Sequence, residues 1–375
     1  MVEKDIASGR VSESVTGGVN NAYQQRWNSY KRVCFEKKIA VEANEDIYLY
    51  YAKRYRLASQ ITPKAGSTTL IAMFYMLNKR TDENVFMEAR MDMHVESKNK
   101  IIQKTFKLGE LEDMVVLLPT RDPYSRLYSA YVDKIYLADD VNFTQTVIKH
   151  AGSRGDLSKW WQYNATFQNF LDYALDESIS KHVQDSHYNV IFRSKYCMLH
   201  NPVIIIKQES FSLDIEYALK TANVNDEDLN VIRNVLTSNR AESAASAIVK
   251  TELQKLNKRF RQNDVFKKGE RQSDALQFVF KRLWSSFQIQ GIISAHSVFP
   301  YAKFYSLNSE EIDTVLDIFL SEIKNRPLTS SERKEQRRRS MLDAYKHIDA
   351  GSIKKIQAKY KKDFLAFEYD PVLPL

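Results

Sequence analysis

The sequence predicts an α/β fold: a parallel sheet covered by helices, followed by a helical last third. Three observations predict it. Twice, a strand-like segment runs through a short loop into a helical segment, at residues 55–75 and again at 114–134. Val203 to Ile206 is a run of four consecutive β-branched residues, the signature of a strand buried on both faces. Beyond residue 270, apolar residues recur at helical spacing. Strand–loop–helix units followed by helices favour a helix-covered parallel sheet.

Composition agrees. The 375 residues are 43% hydrophobic and 27% charged, an ordinary globular mix that excludes wholesale disorder, collagen-like and low-complexity chains. With 10 Gly and 8 Pro, breakers are few and long helices are expected. Residues 1–22, polar and without a clear period, read as a loose arm. Residues 23–55, rich in charge and Tyr, read as one or two helices. Residues 55–62 form a strand entering a turn at Pro63. Past Gly66, Ser67-Thr-Thr-Leu-Ile-Ala-Met-Phe-Tyr-Met-Leu suits a buried helix that Ser67 can cap. Met114 to Leu118 is a strand, and Pro123 stands where the next helix begins, with Leu127, Ala130, Tyr131 and Lys134 at helical spacing. Leu253, Leu256 and Phe260 form a core stripe. Leu276, Phe280, Leu283 and Phe287 make another, as do Ile312, Leu316, Phe319 and Ile323, whose start Asn308 and Glu311 can cap. There is no internal repeat.

The net charge of +8 favours an anionic partner such as nucleic acid, a nucleotide, an acidic glycan or a membrane surface. No strongly apolar run reaches 18 residues, so these residues span no membrane, and Met1 to Arg10 lacks an apolar signal core. Cys34 and Cys197 are too few for a disulfide scaffold or a cysteine-built zinc site. One disulfide or two thiols are both open. Asn142-Phe-Thr and Asn164-Ala-Thr match the N-glycosylation pattern and lean slightly towards a secretory compartment.

Pro63-Lys64-Ala65-Gly66-Ser67-Thr68-Thr69 joins a strand to a helix and suits an anion. Gly66 allows a sharp turn and close backbone approach. The next amides open a helix and point their N–H groups and the positive dipole end at one spot. Ser67, Thr68 and Thr69 add hydroxyls, and Lys64 a mobile positive charge. The loop lacks the Gly-x-x-x-x-Gly-Lys-Ser/Thr order of nucleoside triphosphatases, which disfavours a Mg²⁺-dependent kinase. Arg121-Asp-Pro-Tyr-Ser-Arg-Leu-Tyr-Ser-Ala-Tyr follows the second strand. Arg121 at the strand end and Ser129 two turns on can converge on one phosphate.

Taken together, the two elements resemble those of the Golgi carbohydrate sulfotransferases, with the chondroitin/dermatan 4-O- and HNK-1-type branch the most similar. His94-Val-Glu-Ser, Asp185-Ser-His-Tyr, Lys207-Gln-Glu-Ser-Phe and Tyr360-Lys-Lys-Asp-Phe-Leu-Ala-Phe-Glu-Tyr resemble further segments of that family, in its order. The matches lie within about residues 55–220 and 342–371. The chain departs at Leu70 and Tyr188, where Trp is common, at Pro119 and Thr120, in keeping only one of two closely spaced cysteines, and in the long stretch 225–340.

The resemblance implies a three-layer P-loop-like fold. Residues 1–40 would form an arm and helix, and 41–375 a single domain with a helical insertion around 225–340. It implies 3′-phosphoadenosine 5′-phosphosulfate as sulfuryl donor, with Lys64, Ala65, Gly66, Ser67, Thr68 and Thr69 on the 5′-phosphosulfate and Arg121 and Ser129 on the 3′-phosphate. Lys64 would stabilise the leaving phosphate with no metal required. Arg126 is either a helper there or a surface helix charge. His94 is the first candidate for the base that deprotonates the sugar hydroxyl and His187 the second, with Glu96 and Glu88 behind them. The expected acceptor is an anionic polysaccharide or glycoprotein glycan. The expected location is the Golgi lumen, with the family's membrane anchor absent from this chain, or alternatively a soluble form lacking it.

Basic clusters at 250–271 and Arg333 to Arg339 could carry a polyanionic glycan or be solvated helix faces. Trp160 and Trp161 could stack on sugars or pack in the core. A catalytically inactive binding protein of the same fold is the alternative function. The absence of zinc-finger, ribonucleoprotein and basic-zipper patterns sets nucleic acid aside.

Overall fold

The computed structural model describes residues 13–36, 46–79, 103–137, 141–152, 164–180, 185–237, 240–262 and 272–373. Its centre is a five-stranded sheet of β1 (Ile47–Ala52), β2 (Leu57–Ser59), β3 (Gln103–Phe106), β4 (Val115–Thr120) and β5 (Ile204–Lys207), in the order β3-β1-β2-β4-β5. The three strands β2, β4 and β5 run parallel, with Ala58 opposite Val116 and Leu118 opposite Ile205. β1 pairs antiparallel with β2 and with β3, so the sheet is mixed at one side. Pro119 is tolerated in β4 because it lies beyond the register shared with β2, which ends at Ser59 opposite Leu117.

Side-chain alternation places helices on both faces. Leu117, Ile204 and Ile206 pack under α2 (Ser67–Lys79), α6 (Phe211–Thr221) and α7 (Asp226–Thr237). Val116, Leu118 and Ile205 face the other way, onto Trp27 and Tyr30 of α1 (Glu13–Glu36) and Phe367. A third core joins α3 (Pro123–Tyr131), α4 (Val141–His150) and α5 (Phe167–Ala174) to the C-terminal helices α11 (Ser330–Tyr345), α12 (Ala350–Lys359) and α13 (Lys361–Ala366). A fourth is built by α8 (Arg240–Gln262), α9 (Gln272–Ile289) and α10 (Ile312–Asn325), and contains the Leu253, Leu276 and Leu316 stripes.

Three expectations are corrected here. Residues 13–22, read as a loose arm, begin α1. Residues 23–55, read as helices, contain one helix and then β1. Ile-Tyr-Leu-Tyr-Tyr-Ala is an aromatic-rich strand sequence whose flanking charges obscure it, and it is held by partners on both sides. At the start of α10, Glu311 accepts a hydrogen bond from the Asn308 amide (2.8 Å), which ties the preceding turn, but no side chain caps the helix. Cys34 and Cys197 form a disulfide that joins α1 to the turn at Ser194–Met198. Tyr30 and Lys31 bond backbone carbonyls of the same region, at Arg193, Cys197 and Leu199.

Candidate active site

The parallel strands end at one edge of the sheet, where α/β folds present ligand sites. There, the loop after β2 turns twice through left-handed backbone, at Lys64 (φ 66°) and Gly66 (φ 84°). A β-carbon at Gly66 would come within 2.4 Å of the Phe211 ring, so glycine is required by both space and backbone. Lys64 is a non-glycine residue in this region, a strain that folds retain at functional positions. The first intrahelical bond of α2 runs from the Leu70 amide to the Gly66 carbonyl. The amides of Ser67, Thr68 and Thr69 therefore precede the helical ladder, and all three residues are half-buried rather than sealed. Ser67 is the first helical residue; Gly66, not Ser67, occupies the cap. Ala65 is buried and anchors the loop.

α3 lies along this loop. Asp122 caps it by accepting from the Ser125 amide (2.7 Å), and Pro123 is its first residue, as expected. Arg121 donates to the Lys64 carbonyl (3.0 Å). Arg126 donates to the Pro63 carbonyl (3.3 Å). Asp133, on a single π-helical turn (Val132–Tyr136) that continues α3, pairs with the Lys64 ammonium at 2.9 Å. Residues 122, 126, 129 and 133 share one helix face, so half-buried Ser129 lies between two residues that grip the loop. The structure thus brings Lys64, Gly66, Ser67, Thr68, Thr69 and Arg121 together, with Ser129 on the face of α3 whose neighbours Arg126 and Asp133 meet the loop. Burial pushes the Asp133 carboxyl up, but Lys64 and then Lys134 outweigh it and hold it at about 2. Asp133 was not among the residues that sequence reasoning singled out. The only available signal was its position, one helical turn beyond Ser129, and π turns of this kind are common at functional sites.

The reading of Arg126 as a surface helix charge does not survive. It is 3% exposed, so it is no surface charge, and its guanidinium is occupied by three backbone carbonyls, those of Pro63, Ser186 (2.7 Å) and Asn189. It joins the phosphate-type loop to the segment that carries His187. That segment is held from other sides by the C-terminal motif. Tyr360 donates to the Tyr188 carbonyl, and Asp363 accepts from the amides of Ile191 (2.9 Å) and Phe192 (2.8 Å). His187 Nδ1 meets Asp185 Oδ1 at 2.7 Å, and the same oxygen accepts the His187 amide (2.8 Å). Burial raises the Asp185 carboxyl, but these two hydrogen bonds prevail and leave it below its ordinary value. The imidazolium form of His187 also contributes to the field that lowers Asp133. An imidazole oriented by a carboxylate, within electrostatic reach of Lys64's partner, has the arrangement of a general base. His94, Glu88, Glu96, Trp160 and Trp161 lie outside the described residues, as do Lys267, Lys268 and Arg271.

Glu252 and Lys255 of α8 lie within electrostatic reach of Asp133 and Lys134. Glu252 is buried, and its carboxylate lies 3.3 Å from Lys255. Burial lifts the Glu252 carboxyl to about 7, with Arg259 and Lys134 opposing and Asp133 assisting. Burial, then repulsion from Lys134 and Arg259, brings the Lys255 ammonium down to about 8. Folded Glu252 therefore holds a proton that the unfolded chain has already released between about 4.5 and about 7. Stability falls as pH rises through that window, because the folded state binds more protons there. Asp363, raised by burial to about 6, adds to the lower part of the slope. Urea unfolding midpoints should decline across this range, and Glu252→Gln should flatten the upper part; an unchanged slope would show that Glu252 is ionised throughout.

The second basic cluster is a solvated helix face in part: Arg338 and Arg339 both pair with Glu335. Among the described residues no group of three or more His, Cys, Asp or Glu is placed to hold a metal ion. Among the same residues no helix is long and apolar enough to cross a membrane.

A strand-to-helix loop with a lysine, hydroxyls and open amides, faced by an arginine that follows the next parallel strand, marks an α/β protein whose loop chemistry suits a phosphate-type anion. Residues 48–296, well over half of the chain, match the model of the sulfotransferase family, and the chain belongs to that family. Its class of chemistry is sulfuryl transfer, for which the family generally uses 3′-phosphoadenosine 5′-phosphosulfate. No curated protein and no solved structure matches the chain.

Proposed function

We propose that the protein is a glycan O-sulfotransferase of the chondroitin/dermatan 4-O- and HNK-1-type branch, moving a sulfuryl group from 3′-phosphoadenosine 5′-phosphosulfate to a sugar hydroxyl. The observation that carries this reading is the grip on the Lys64 loop of α3 and the residues flanking it, through Arg121 and Arg126 on carbonyls and Asp133 on the Lys64 ammonium. The donor set fits the nucleotide: three helix-opening amides, three hydroxyls, Lys64, and Arg121 with Ser129. The branch is supported by the segments at 185–188, 207–211 and 360–369, the last of which pins the His187 segment.

In the reaction, the acceptor oxygen forms a bond to sulfur as the bond from sulfur to the 5′-phosphate oxygen breaks. Lys64 and the amides of Gly66, Ser67 and Thr68 stabilise the charge that develops on the leaving phosphate. The hydroxyl proton passes to a histidine. His187, oriented by Asp185, is one candidate, and His94 remains the other. The fixed lysine and helix end supply this stabilisation without calling on a metal. The acceptor is an anionic polysaccharide or glycoprotein glycan, and the location is the Golgi lumen. The Cys34–Cys197 disulfide fits an oxidising compartment. The alternative, an inactive relative that binds a glycan or nucleotide, is disfavoured by the intact Lys64, Arg121 and Ser129.

The test is calorimetric titration with 3′-phosphoadenosine 5′-phosphate in the presence of a metal chelator. Binding is expected in the unaltered protein. It should weaken by about tenfold or more in Ser129→Ala and more strongly in Arg121→Ala, since a hydrogen bond to a charged group contributes about 1.5–3 kcal/mol. Folded protein that binds no nucleotide would refute the enzyme reading.

A further inference from the structure

We propose that Glu209 and Tyr369 are positioning residues that hold Arg121 for the 3′-phosphate of the nucleotide, so that the C-terminal segment takes part in donor binding. The inference rests on the nucleotide reading above and deepens it. Arg121 lies between Thr120, the last residue of β4, and Asp122, the cap of α3. Its direction is therefore set where a strand turns into a helix. One bond ties its side chain inward, from the guanidinium to the Lys64 carbonyl (3.0 Å). A second fixes the residue that follows: the Asp122 amide donates to Glu209 Oε1 at 3.2 Å. An amide at the start of a helix has no partner within the helix, so a carboxylate is well placed to accept it.

Glu209 is held in turn. Its other carboxylate oxygen, Oε2, accepts from the hydroxyl of half-buried Tyr369 at 2.9 Å. Tyr369 lies just beyond α13. The chain turns there through left-handed Glu368 (φ 54°), and the Tyr369 amide donates back to the Phe364 carbonyl (2.9 Å). Lys207, the last residue of β5, sets its ammonium 4.8 Å from the centre of the Tyr369 ring and 3.5 Å from the Glu368 carbonyl. The Lys207 amide is anchored by Asp214 of α6 (2.8 Å). Gln208 abuts the donor loop, where a β-carbon added at Gly66 would meet its Oε1 at 2.8 Å. Three successive residues at the end of β5 therefore touch three elements: Lys207 the C-terminal turn, Gln208 the Lys64 loop and Glu209 the start of α3. The C-terminal segment grips both halves of the candidate site, the His187 segment through Tyr360 and Asp363 and the Arg121 turn through Tyr369. Burial lowers the Arg121 guanidinium below its ordinary value, and Glu209 is the largest influence opposing that loss. A carboxylate beside a phosphate site repels the ligand. Glu209 has each oxygen occupied by a neighbouring donor, which suits it to orient the arginine rather than to touch the nucleotide.

The experiment compares calorimetric titrations with 3′-phosphoadenosine 5′-phosphate and with adenosine 5′-phosphate, which lacks the 3′-phosphate. Glu209 is exposed, so its substitution leaves the packing intact. Glu209→Ala and Tyr369→Phe should each weaken the first nucleotide by about threefold to tenfold, the effect of one hydrogen bond. Both variants should bind adenosine 5′-phosphate within about twofold of the unaltered protein, whereas general damage to the fold would weaken both nucleotides alike. In an Arg121→Ala background the same two changes should have no further effect, because the group they position is gone. Glu209→Gln should restore most of the affinity, since its carbonyl can accept the Asp122 amide while its NH₂ group donates to the Tyr369 oxygen. Equal losses with the two nucleotides, full additivity with Arg121→Ala, no rescue by glutamine, or unaltered affinity in Glu209→Ala would overturn the inference and leave the proposed function standing. Unaltered protein that binds neither nucleotide would refute the proposed function itself.

Discussion

Lys64→Ala is expected to lower kcat for sulfuryl transfer by about 10²–10³-fold, the effect of removing one preorganised donor from a developing oxyanion. The fold should persist. The Lys64 side chain pairs with Asp133 at the surface of the site, and alanine accepts the left-handed backbone no worse than lysine does. Asp133 then loses its principal counter-charge, so its carboxyl rises from about 2 towards the ordinary range. Asp133→Asn separates the two residues. It leaves the ammonium in place and removes a negative charge beside the donor loop, so nucleotide affinity should hold or improve. Steady-state transfer rates and nucleotide calorimetry on both variants check the assignment. A Lys64→Ala enzyme with unaltered kcat would move leaving-group stabilisation elsewhere.

Arg126→Met is expected to destabilise the protein by about 3–5 kcal/mol, read as a lowered urea midpoint at constant slope. The reason is local. Three carbonyls, on Pro63, Ser186 and Asn189, lose a buried charged donor that no water can replace without opening the packing. Arg126→Lys should recover little of this, because one ammonium cannot span carbonyls that a planar guanidinium reaches together. At temperatures where the variant stays folded, nucleotide affinity should still drop, since the Lys64 loop and the His187 segment lose their common tie. A stability loss confined to a few tenths of a kcal/mol would show that the carbonyls find other partners.

Comparing expectation with structure locates the source of each success. The β4 and β5 strands, the α2 and α3 starts and the α9 and α10 stripes were legible because apolar period, Pro123 and Gly66 act within a few residues. β1 was missed because its flanking charges read as helical and because one of its two partners, β3, lies more than 50 residues away, with Ile47 opposite Phe106. The antiparallel side of the sheet was missed for the same reason.

The candidate site divides along the same line. Pro63 to Thr69 and Arg121 to Tyr131 announce an anion site by local chemistry alone: a glycine that turns, amides that open a helix, hydroxyls, a lysine and an arginine. Those properties belong to the chain before it folds, and the family follows from them. Tertiary structure decided what the charges meet. Only folding sets Asp133 against Lys64, makes Arg126 a tie between two loops, uses Tyr360 and Asp363 to hold the His187 segment, and brings Glu252 and Lys255 within electrostatic reach of Lys134. Local geometry is set by torsions and hydrogen bonds within a turn or two. The charge state and partner of a side chain depend on burial and on groups scores of residues away, which no local pattern encodes.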